Sequence, residues 1–69
     1  MDATQKDMAS RQDEIQQELQ LLFEANMKIS AWNVPEVDDL EAATLLLEIL
    51  QQQLDTIHTD VKSGKYLSN

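Results

Sequence analysis

Two series of apolar residues, spaced by threes, fours and sevens, lie on either side of the segment WNVPEVDD at positions 32–39. In the first, Met8, Ile15, Leu19, Leu22 and Ile29 share one side of a helix, with Phe23 flanking them. In the second, Leu40, Ala43, Leu47, Leu50, Leu54, Ile57 and Val61 alternate steps of three and four. Such spacing follows the 3.6-residue turn and predicts two amphipathic helices.

The segment between them holds the only proline and several turn-forming residues, which marks a break. Thr4 to Asp7 resembles a capping box, so helix 1 is expected over about 5–30, followed by a turn over about 31–36. Pro35 suits a first helical turn and Asp38 to Glu41 offers a second capping box. Helix 2 is therefore expected over about 37–63. Lys62, Gly64 and Lys65 supply the cationic last turn and glycine stop of a helix C-terminus, leaving a short tail at 64–69. Two helices of similar length joined by a short connection predict one all-α domain over 1–69, an antiparallel helical hairpin.

Helix 2 carries more apolar side chains than one neighbour covers. Leu45, Leu46, Leu47, Ile49 and Leu50 occupy five of six consecutive positions, which spreads them around most of the circumference. The expected division places Leu47, Leu50 and Leu54 against helix 1. Ala42, Leu46 and Ile49 then form a second strip, with Leu45 further round, and this strip needs another surface. A second hairpin would complete a four-helix bundle through a twofold interface; an apolar groove on another helical protein is the other supply. Gln12 and Asn26 fall on the seam positions of helix 1, where a buried amide can select register or partner. Trp32, at the turn, is expected either to plug the end of the core or to anchor a partner, with the plug favoured.

Size sharpens this expectation. A chain of 69 residues builds a core worth only a few kcal/mol, and small domains are commonly reinforced by disulfides, metals or oligomerisation. With no cysteine, disulfides, thiolate metal sites and thiol catalysis are all excluded. A formal net charge of −8 repels phosphate backbones and anionic lipid, and the five cations form no stripe, so nucleic-acid binding is not expected. No apolar run is long enough for a membrane span, and the first residues lack the basic flank and apolar stretch of a signal peptide. A cytoplasmic location is the simplest expectation.

Catalytic patterns are sparse. Asp55 and His58 stand one turn apart, a spacing used in metal-binding bundles, but helix 1 offers no inward carboxylates to complete a site. The serines lack a base and an orienting acid, and no glycine-rich phosphate loop is present. No enzyme activity, cofactor, metal or small-molecule substrate is expected. The leading expectation is a non-catalytic interaction module (adaptor, small chaperone or assembly subunit) that dimerises or docks on a helical partner through Ala42, Leu45, Leu46, Ile49 and Trp32. The alternative is an acidic mimic or inhibitor that occupies a basic site on a target protein.

Overall fold

The computed structural model describes residues 2–67, and among them the architecture is all-helical: α1 spans Ala3–Asn33 and α2 spans Asp39–Lys62. Helix α1 starts two residues before the expected position because Asp2, not Thr4, is its cap. Asp2 Oδ1 accepts from the Gln5 backbone N–H at 2.7 Å, and the Gln5 side-chain oxygen accepts from the Asp2 N–H at 3.4 Å. This reciprocal pair is a capping box in which Gln supplies the third helical position. The helix also continues three residues past the expected end, to Asn33, so that Ser30 and Trp32 lie within it.

Pro35 explains where α1 stops. Steric conflict with the proline ring moves the preceding residue out of the helical region, and Val34 is extended at φ −132° and ψ 91°. Its N–H still donates to the Ser30 carbonyl at 3.0 Å, closing the last turn of the helix. The Val37 N–H then donates to the Val34 carbonyl at 2.9 Å, a β-turn with proline at its favoured second position. Asp38 begins α2 by accepting from the N–H groups of Leu40 at 3.0 Å and Glu41 at 3.1 Å. Asp39 and Glu41 place negative charge at the positive end of the helix dipole.

Helix α2 ends in a Schellman motif. Gly64 sits at φ +88°, its N–H donates to the Val61 carbonyl at 3.1 Å, and the Lys65 N–H donates to the Asp60 carbonyl at 3.0 Å. The Lys65 ammonium returns to the Asp60 carboxylate at 3.4 Å, and the Leu67 N–H donates to the Gly64 carbonyl at 3.1 Å. The glycine is needed because a side chain at this φ would be strained.

The helices meet chiefly near the turn. On α1 the half-buried residues are Phe23, Asn26, Met27 and Ser30; on α2 they are Ala42, Ala43, Leu46 and Leu50, with Asp60 half-buried separately at the helix end, where Lys65 folds back on it. Beyond these, towards the free ends, Leu19, Leu54 and Ile57 remain exposed. No described residue is fully buried. The molecule measures 49 × 26 × 17 Å, and its radius of gyration of 16.2 Å compares with roughly 11 Å for a compact domain of this length.

This seam is rotated by about one residue from the expected one. Leu46 is half-buried where a partner-facing position was expected, whereas Leu47, expected against helix 1, is 56 % exposed. On α1, Phe23, Met27 and Ser30 replace Leu22 and Ile29 as the inward positions. Small side chains fall on the half-buried seam beside the turn, Ser30 on α1 and Ala42 and Ala43 on α2, and small residues at such a crossing permit close helix packing.

Candidate functional site

The rotation leaves apolar side chains uncovered on one flank of the hairpin. A groove of about 640 Å³ lies between the helices near the turn, walled on α1 by Asn26, Ile29, Ser30 and Asn33. Its α2 wall is Ala42, Leu45, Leu46 and Ile49, and Val34 and Val37 line it at the turn. Thus four of the five residues expected to bind a partner are brought to one groove. Ala42 and Leu46 are half-buried at its floor, while Leu45 at 51 % and Ile49 at 62 % exposure form its outer wall. Glu36, Asp38 and Glu41 border the same groove and make its turn end acidic.

Trp32 is placed differently from the favoured expectation. It does not plug the hairpin: it is 89 % exposed, on a shallow surface shared with Lys28, Ile29, Ala31 and Asn33. The reason is positional. Because α1 continues to Asn33, Trp32 lies on the helix surface rather than in a loop that could fold over the core. Ile29 and Asn33 border both this surface and the groove, which makes Trp32 adjacent to the groove.

The α1 side of this face was hidden in the sequence by its assignment to the seam. Ile15, Leu22 and Ile29 recur every seven residues, which puts all three on the flank that Ile29 shares with the groove, and all three are exposed. The opposite flank is unlike it. There Leu40, Leu47 and Leu54 of α2 are exposed, but α1 contributes Gln16, Gln20 and Glu24, which line a separate, more polar surface.

The polar candidates serve the helices that carry them. The Asn26 Nδ2 donates to the Leu22 carbonyl one turn earlier at 2.8 Å, and Gln12 is exposed. Asp55 accepts from the Gln51 Nε2 at 3.1 Å, and His58 is exposed. Among the described residues no three His, Asp or Glu side chains converge as a metal-binding group, and no helix is long and apolar enough to cross a membrane. No protein-family model matches the chain, and searches of the curated proteins and of the solved structures return no match.

Proposed function

We propose that the chain is a non-catalytic protein–protein interaction module, acting as an adaptor, small chaperone or assembly subunit, whose groove-side face is covered by another helical surface. One observation carries this reading, the area left exposed. A compact monomer of 7.9 kDa exposes roughly 4,400 Å², whereas this hairpin exposes 6261 Å². Apolar side chains supply much of what is uncovered, including Ile15, Leu22, Ile29, Leu45 and Ile49. Burial of such groups stabilises by roughly 25 cal/mol per Å², so a covering partner adds to the stability of the hairpin in proportion to the apolar area it removes from water.

Thermal melting followed by circular dichroism, across a hundredfold range of chain concentration with and without partner, tests the reading. The expected result is a transition that sharpens and rises as association increases, because a ligand or second subunit that binds only the folded state shifts stability by mass action. A cooperative transition of a monomer, independent of concentration, would refute it. A second reading, an acidic mimic occupying a basic site, is favoured by the carboxylates around the turn. Salt separates the two. Groove docking keeps most of its affinity from low to high ionic strength, whereas an acidic mimic loses it steeply through screening.

A further inference from the structure

We infer that the covering surface is a second copy of this chain, packed face to face with its turn at the opposite end; this inference rests on the reading above. Area is the first argument. The excess exposed surface is about 1,800 Å² per chain, and two chains burying that much each would form an interface in the obligate-dimer range of roughly 2,000–5,000 Å² in total. The face is also suited to self-packing, because both helices contribute to it: Ile15, Leu22 and Ile29 from α1, and Ala42, Leu45 and Ile49 from α2. Four helices then share one core.

Charge fixes the orientation. Residues 16–54, the half of the chain around the turn, carry seven carboxylates and a single cation, Lys28. The other four cations, Lys6, Arg11, Lys62 and Lys65, lie towards the free ends of the helices together with the other six carboxylates, so the net charge there is −2 against −6 around the turn. Turn-to-turn pairing would stack the two strongly acidic segments on each other, whereas the reversed pairing sets each acidic turn beside the other copy's nearly balanced end, where four of its five cations lie.

Arg11 is the residue placed to make this contact. It lies one helical turn before Ile15, on the flank of the groove, and its only ion pair among the described residues is with Asp7 at 3.1 Å. Both of those side chains are about half exposed, so the pair exchanges readily. Arg11 and Asn33 lie equally far from Leu22 in opposite directions, about 16 Å along the helix by its rise per residue. A twofold axis near Leu22 therefore brings Arg11 of one copy to Asn33 of the other, where Glu36, Asp38 and Glu41 border the groove.

The experiment combines sedimentation equilibrium with cross-linking, which the absence of native cysteine makes direct. Chains carrying Met8→Cys and chains carrying Asn33→Cys are mixed and treated with a short bis-maleimide. A dimer mass with predominantly mixed 8-to-33 cross-links is expected. A dimer that cross-links mainly 33 to 33 overturns the reversed orientation. A monomer that melts broadly and gains order only with a different protein overturns the second copy while leaving the interaction module intact; a cooperatively melting monomer overturns both. Charge reversal gives an independent readout: Arg11→Glu should weaken the dimer roughly tenfold through its two symmetric contacts, and adding Glu36→Lys should restore most of the loss. Equal affinity in the parent and Arg11→Glu chains would rule out the charge-directed orientation.

Discussion

The half of the hairpin near the turn and the half near its free ends are built from similar helices, yet only the first is packed. Around the turn, Ser30, Ala42 and Ala43 permit close approach, and Phe23, Met27, Leu46 and Leu50 become half-buried behind them. Towards the free ends, Leu19, Leu54 and Ile57 have the same apolar character and remain exposed. Hydrophobicity alone therefore does not decide which stretch of a two-helix pair is packed. Small residues flank the short, proline-defined turn where the half-buried positions lie, and the larger side chains further along stay exposed.

Substitution at Leu50 breaks this comparison most directly. Leu50→Ala removes a half-buried side chain from the seam beside the turn and should cost about 2 kcal/mol in urea melts, a large share of the stability of so small a chain. Neighbouring leucines should then divide by position: Leu46→Ala should cost about 2 kcal/mol, whereas Leu47→Ala, on the opposite flank, should stay within about 0.5 kcal/mol. Equal losses at the two positions would restore the unrotated seam. The caps sharpen the contrast further. Asp38→Ala, at the packed end, should cost about 1 kcal/mol of global stability because two N–H groups lose their acceptor. Gly64→Ala strains a residue at φ +88°, but its global cost should fall below about 1 kcal/mol, since the last turn of α2 frays instead of bearing the strain. Faster amide exchange confined to 60–67 would register that fraying.

Much of this contrast was visible in the residue pattern, and what was not has a physical cause. The break at Pro35, the cap at Asp38 and the stop at Gly64 are local chemistry, legible from a few neighbouring side chains. The cap at Asp2 was obscured because Thr4 offered a competing box two residues later. Seam rotation was illegible for another reason. The three-four spacing defines an average stripe over a whole helix, while the register depends on which residues of two segments more than ten positions apart come together, here the half-buried Ser30 on α1 and Ala42 and Ala43 on α2. The exposure of Trp32 follows from the extension of α1 to Asn33, which propensity does not fix at helix ends. The α2 wall of the groove coincides with the strip formed by Ala42, Leu45, Leu46 and Ile49, whereas the α1 flank beside it was read as seam because Ile15, Leu22 and Ile29 satisfy both descriptions.

The position of the packed zone also sets the order of events in folding. Val34 to Asp38 join the helices by a very short connection, so the contacts that flank it close loops of low entropic cost and form early. Helix pairs dominated by such local contacts fold within microseconds to milliseconds. Any assembly step is bimolecular and waits on encounter. The hairpin should therefore reach its turn-end packing in a rapid first-order phase, and the exposed flank should be covered in a second phase whose rate rises with chain concentration.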